Sequence, residues 1–444
     1  MKIRIPTILI FLIEVFIYKA EFYSQYILPT LTIAMIFLLS SFRFQLEAMT
    51  FPSILILFAG VLGYLGSESK NSTLGTSVSL ILPSEFRIDT LSIFCISSSA
   101  LILGNSIAGK SFITLENEDL RKQIASNTFL AYLALVPAIL MVIGFKTSEF
   151  FHRDSHLLGT QIPLLARLGS ATSIIAVPVI ALWAMSQGKI GKILGILEIL
   201  FYGIIFLAAS SRSLVVIPIS LYFVVFRQVN KISKIFFGVL LPIASYFCLA
   251  IPLYLRSQMN HGIYSYLRDL FKFSPKSVSP HVVLQNTSVA FDLNGLTAFS
   301  LQKFPLKDLF VELSPLLGKQ AGWYDIAPHH RFNFSTPAAA IGEGLNYGFY
   351  LLVAIFALVG LAFGLMIKKT QLLPEKYRLF GVAFILASAS YFSVLSLQYN
   401  LRSAVRVIYY AAAFVVVIQF LSRFRKSSIR NHSVKIGDDH TFDV

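Results

Sequence analysis

Apolar stretches long enough to cross a bilayer recur along this chain from residue 5 to residue 420, and one long polar segment interrupts them. A helix needs about 20 mostly apolar residues to span the hydrocarbon core. About twelve such stretches can be marked, near 5–18, 26–41, 48–65, 89–107, 126–145, 164–185, 192–208, 213–226, 234–254, 345–367, 379–397 and 402–420. The interruption, 256–342, is aromatic, charged and loop-like. This pattern predicts an all-α fold: a polytopic transmembrane helix bundle of about 12 spans with one large external loop. Charged residues make up only 13% of the chain, against about 25% in soluble domains. The stretch 74–83 is apolar but too short to cross, and is expected on the membrane or dipping into it.

Residues 1–422 are expected to form a single transmembrane domain, the loop 256–342 included, followed by a polar, unstructured cytoplasmic tail, 423–444. The first apolar run follows Lys2 and Arg4 but leads to no small-residue cleavage site, so it reads as an uncleaved helix. With the N-terminus inside, the Lys and Arg of the links fall mostly on the cytoplasmic side, which puts both termini inside and the long loop outside. The net charge of +15 sits largely beside the spans, where anionic headgroups attract it, so nucleic acid is a poor partner. Cys95 and Cys248 both fall in apolar stretches and build no disulfide framework.

The loop has internal order. Pro305 suits the first turn of a helix, and Ser314-Pro315 ends it. Leu306, Leu309, Phe310 and Leu313 share one face, with Lys307, Asp308 and Glu312 on the other. The segment 264–273 has a similar mixed character. Such helices either lie along a membrane interface or cap the bundle.

Five arginines are predicted on the external side: Arg212 in a tight Ser-Ser-Arg turn, Arg256 at the start of the loop, Arg331 in His-His-Arg, and Arg402 with Arg406 at the opening of the last span. Guanidinium groups form planar, permanently charged forks that match phosphate and diphosphate. An outer cluster of them would hold a lipid diphosphate; each alone would serve equally as an interfacial anchor. His330 and Glu343 are the candidate catalytic residues, because imidazole exchanges protons near neutral pH and a carboxylate at an apolar boundary makes a base. Glu343 would otherwise cap the helix that follows it. Glu14 and Glu198 lie inside spans and need partners. Asp292, Asp308, Glu312 and Asp325 are expected to be solvated. No metal-ligand spacing, phosphate-binding Gly-rich loop or Gly-x-Ser-x-Gly occurs, so the expectation is no metal and no cofactor.

Three segments carry a family likeness: Ser210-Ser211-Arg212-Ser213-Leu214-Val215-Val216, the loop exit Thr336-Pro337-Ala338-Ala339-Ala340-Ile341-Gly342-Glu343-Gly344-Leu345-Asn346-Tyr347-Gly348-Phe349, and the last span with Arg402 and Arg406. With the span pattern and the late external loop, they resemble the O-antigen polymerase (Wzy-type) family, which is related to the O-antigen ligases. The resemblance implies a metal-independent glycosyltransferase of the bacterial inner membrane. Such an enzyme polymerises undecaprenyl-diphosphate-linked oligosaccharide units at the outer face. Its partners would be a lipid-linked donor and acceptor, membrane lipids and a chain-length regulator protein. A ligase-like transferase and a polysaccharide flippase or transporter are the alternatives.

Overall fold

The computed structural model describes residues 5–21, 25–39, 46–47, 49–68, 82–108, 112–113, 128–154, 163–218, 220–221, 231–274, 280–332, 336–373 and 375–437. Among the described residues the regular structure is helical apart from one two-residue antiparallel pairing, Leu46–Glu47 with Phe112–Ile113, and two isolated bridges. Two compact units emerge, one made of 1–115 with 284–444 and the other of 116–283.

The first unit begins with α1 (Ile5–Lys19), α2 (Ile27–Leu39), α3 (Thr50–Glu68) and α4 (Arg87–Ala108). The second holds α5 (Thr128–Gly144), α6 (Thr147–Phe151), α7 (Pro163–Ser186), α8 (Lys189–Ala208), α9 (Lys231–Arg256) and α10 (Ile263–Leu270). The chain returns to the first unit through α11 (Pro280–Phe299), then α12 (Leu306–Glu312), α13 (Trp323–Ile326), α14 (Ala340–Tyr347), α15 (Phe349–Gln371), α16 (Glu375–Gln398) and α17 (Leu401–Gly437). Most of the expected apolar stretches are helical within a few residues. Within 213–226, residues 219 and 222–226 lie outside the described residues, as does most of 74–83. Contrary to the expected unstructured tail, α17 continues through the polar residues as far as Gly437.

Among the described residues, four helices are long and apolar enough to cross a membrane: Ser84–Ala108, Lys189–Ala208, Phe349–Gln371 and Leu401–Phe420. Their length and apolar composition mark a membrane protein. They differ in surroundings. α4 is buried along most of its length, packed by α1, α2, α3 and α15, which explains how it carries five buried serines, Ser92, Ser97, Ser98, Ser99 and Ser106. Its backbone meets that of α15 closely. A Cβ on Gly104 would lie 1.8 Å from the Ala357 carbonyl, and one on Gly360 would lie 2.0 Å from that of Leu101. Small residues are what permit such an approach between membrane helices. Glu14 finds its partner here, accepting a 3.0 Å hydrogen bond from Thr32 Oγ1 in a fully buried position.

In the second unit, α8 instead exposes Ile190, Ile193, Leu197, Leu200, Phe201 and Ile204, a surface suited to lipid. Its inner face places Tyr202 against α5 beside Pro137. The Tyr202 hydroxyl donates to the Ala134 carbonyl and accepts from the Ala138 amide at 3.2 Å, so it is inserted into the helical ladder at the proline.

Candidate functional site

α11 brackets the loop exit. Its Asn294 Oδ1 accepts from the Gly342 amide at 3.0 Å, and its Thr297 Oγ1 accepts from the Ala339 amide at 3.2 Å. Asn346 on α14 donates to the Thr297 carbonyl at 3.1 Å and accepts from the Phe304 amide at 2.7 Å. Gly342 is required at this contact, because a Cβ there would lie 2.3 Å from the Asn294 carbonyl. These bonds fix α14, and with it Glu343 in its first turn.

Opposite Glu343 stands His330, at the end of the turn after α13, with its carbonyl accepting from the Ala338 amide at 2.9 Å. The two candidate catalytic residues meet directly: His330 Nδ1 lies 3.1 Å from Glu343 Oε1 with hydrogen-bond geometry. The same nitrogen is 2.8 Å from Glu312 Oε1, which forms no full hydrogen bond. Nε2 lies 3.5 Å from Asp308 Oδ2. Three carboxylates therefore surround one imidazole. His330, Glu312 and Glu343 have no exposed surface, and Asp308 is buried as well.

This corrects the expectation that Asp308 and Glu312 are solvated. α12 forms where Pro305 and Ser314 predict it, but it turns Asp308, Leu309 and Glu312 inward and leaves Leu306 and Phe310 exposed. Asp292 is also fully buried, whereas Asp325 is exposed as expected. α10 makes the same inversion, burying Ser265, Tyr266 and Asp269 while exposing Tyr264 and Leu267. The physical cause is the same in both. In α12 the buried carboxyls face His330, and in α10 the Tyr266 hydroxyl meets Arg153, Ser210 and His261, so these groups find interior partners in place of water.

The Glu343 side chain also has a helix to cap, though a different one from that expected. Its Oε2 accepts from the Leu401 amide at the start of α17, where Asn400 Oδ1 takes the Ser403 amide at 2.9 Å. The N-terminus of a long helix favours an anionic carboxylate. Burial disfavours a charged imidazole, but the hydrogen bond to Glu343, the close approach of Glu312 and the negative charge of both outweigh it, and His330 is pushed up to about 10. Burial, then the charge of Glu343, raises the Glu312 carboxyl to about 8, although His330 pulls the other way. Burial and the charges of Glu312, Glu343 and Asp308 hold the Tyr347 phenol far above its usual range. Aromatic rings wall the imidazole: Phe304 at 4.0 Å, Trp323 at 5.8 Å and Tyr347 at 6.4 Å between centroids.

Glu312, His330 and Glu343 each offer a ligand atom, all within 4.8 Å of one another, so the group is also able to hold a cation. Both Glu312 oxygens lack a formed hydrogen bond, which fits that use. A proton on Nδ1 satisfies the geometry at least as well. That nitrogen faces two carboxylate oxygens at hydrogen-bond distance, and their charge favours imidazolium.

The five arginines divide between the units. Arg402 is buried, 5.7 Å over the Trp323 ring, and donates to the carbonyls of Val311, Ser314 (3.3 Å) and Leu316 (2.6 Å). Arg406 reaches the same Leu316 carbonyl at 3.5 Å. Arg331 is exposed, its backbone bridged to Pro337. In the second unit Arg256 donates from Nε (3.1 Å) and Nη2 (2.8 Å) to the Ser210 carbonyl. Arg256 is thus joined to the turn that carries Arg212, whose own side chain lies outside the described residues.

That turn rests on a second buried network that the sequence did not announce. Ser210, at φ +50°, hydrogen-bonds the Tyr266 hydroxyl. Tyr266 also accepts from Arg153 Nη2 at 3.3 Å and lies 3.0 Å from His261 Nδ1. Arg153 and His261 exchange backbone hydrogen bonds of 3.0 and 2.9 Å.

No protein-family model, no curated protein and no solved structure matches this chain.

Proposed function

We propose that this protein is a membrane-embedded glycosyltransferase with about twelve spans and both termini cytoplasmic, working at the outer face of a bacterial inner membrane. It would polymerise undecaprenyl-diphosphate-linked oligosaccharide repeat units into a surface polysaccharide of O-antigen type. The observation that carries the reading is the His330–Glu343 pair, buried among further carboxylates on the loop that resembles the polymerase exit segment. In the reaction an acceptor sugar hydroxyl attacks the donor's anomeric carbon, and the bond to the diphosphate breaks. The hydroxyl proton passes to a carboxylate of the cluster, and the lipid diphosphate departs with its charge stabilised by arginine. His330, held protonated, orients the carboxylates; the base is Glu343 or its neighbour Glu312. Because all three are buried, the sugar reaches them only when α12 or the turn before His330 moves aside.

A second reading has an observation of its own. A buried group of one imidazole and several carboxylates, one with its pKa near 8, is also a proton carrier, which suits a proton-coupled flippase or transporter. Reconstituted protein given a lipid-diphosphate-linked repeat unit and a chelator separates the two. A ladder of polymer lengths supports the transferase and its independence of metal. Lipid-linked sugar moved across the vesicle wall without polymer supports the transporter. Neither product would refute both.

A further inference from the structure

The segment 303–319 is built to sit on lipid. Three side chains at the start of the apolar span Leu401–Phe420 hold it by its backbone: Arg402 on Val311, Ser314 and Leu316, Arg406 on Leu316, and Tyr409 on Leu313. Residues 402 to 409 climb about 10 Å of helix. The segment therefore lies beside the first two turns of a membrane-crossing helix, at the depth of the headgroups and the upper acyl chains.

Its outward surface matches that depth. Leu306 is 58% exposed, Phe310 76%, Leu316 53% and Leu317 69%. Lys303, Lys307 and Lys319 are exposed beside them, and the acidic residues of the segment, Asp308 and Glu312, are both buried. The exposed charge of 303–319 is all positive, over an apolar face, the composition of an interfacial helix on anionic lipid.

We propose that α12 and residues 313–319 form a lipid seat, with Leu306, Phe310, Leu316 and Leu317 in the boundary between headgroups and acyl chains and the three lysines on anionic phospholipid. The inference rests on the fold alone and stands whether or not the protein is a transferase. Its consequence is that the bilayer edge steadies the short helix that delivers Asp308 and Glu312 to His330.

The test uses the full chain with Trp183→Phe and Trp323→Tyr, carrying either Phe310→Trp or Leu317→Trp, each checked for native helix content by circular dichroism. Both proteins are reconstituted in vesicles of phosphatidylcholine and phosphatidylglycerol, with bromine on the acyl chains of one lipid at a time. Either new indole should be quenched by brominated lipid, more by brominated phosphatidylglycerol, and be shielded from aqueous acrylamide. Replacing the three lysines by Gln should abolish the phosphatidylglycerol excess. Free quenching by acrylamide with no effect of bromine would overturn the seat, as would an indole shielded from both, which would mark a protein partner or a second copy. Equal quenching by the two lipids would overturn the anionic preference.

Discussion

The His330 cluster in one unit and the Tyr266 network in the other are both buried and polar, yet they are finished differently. Around Tyr266 the partners named are a serine hydroxyl, the His261 imidazole, the Ser210 carbonyl and arginines, none of them a carboxylate, and every side-chain donor and acceptor named there has a hydrogen bond. Around His330 three carboxylates face one imidazole. Both Glu312 oxygens and His330 Nε2 lack a formed hydrogen bond. A satisfied buried network fixes a shape, whereas a charged one with spare capacity is costly and ready for chemistry. The first holds the Ser210–Arg212 turn in place; the second is the candidate reaction centre.

The comparison breaks most visibly in activity. Glu343→Gln should lower polymer formation by about 10²–10⁴-fold, the range of general acid–base catalysis. Tyr266→Phe should retain most of it, in the same assay on purified protein. Full activity in the Glu343 variant would remove the cluster from the reaction.

Stability should separate the two regions next. His330→Ala leaves buried carboxylates without their cation and should cost about 3–5 kcal/mol, read by chemical denaturation in detergent. Tyr266→Phe removes a hydroxyl hub from its hydrogen-bonding neighbours and should cost about 1–3 kcal/mol. Arg256→Lys keeps the charge but loses the fork onto the Ser210 carbonyl, for about 1 kcal/mol.

The pH dependence sharpens the contrast further. His330 and Glu312 both bind protons more tightly in the folded chain than their ordinary values of 6.5 and 4.5. Their stabilising contribution is full below those values and is lost as pH rises, for Glu312 through about 8 and for His330 through about 10. The melting temperature should therefore decline from mildly acidic to alkaline pH. The decline should flatten in His330→Gln and persist in Tyr266→Phe.

The apolar stretches and the bounds of α12 were legible in the sequence because length, proline and hydropathy act locally. The residue types of His330 and Glu343 marked both as candidates for proton chemistry, thirteen positions apart, but did not show that their side chains meet. The inward turn of α12 was not legible. Helical spacing says that Asp308 and Glu312 share a face with each other, but which face is buried depends on what waits opposite. Here that was His330 and Arg402, supplied by distant segments. The Tyr266 network was hidden for the same reason: Arg153, Ser210, Arg256 and Tyr266 are ordinary residues until four separate segments meet.

The protonation state of His330 tests the account most directly. Of the eight histidines in the chain, its ring resonance can be assigned with the His330→Gln variant in protein carrying isotope-labelled histidine. A magnetic-resonance titration should find His330 doubly protonated through neutral pH, losing its proton only near 10. An imidazole that titrates near its ordinary value, or is already neutral at pH 7, would contradict the picture of a cation held among carboxylates.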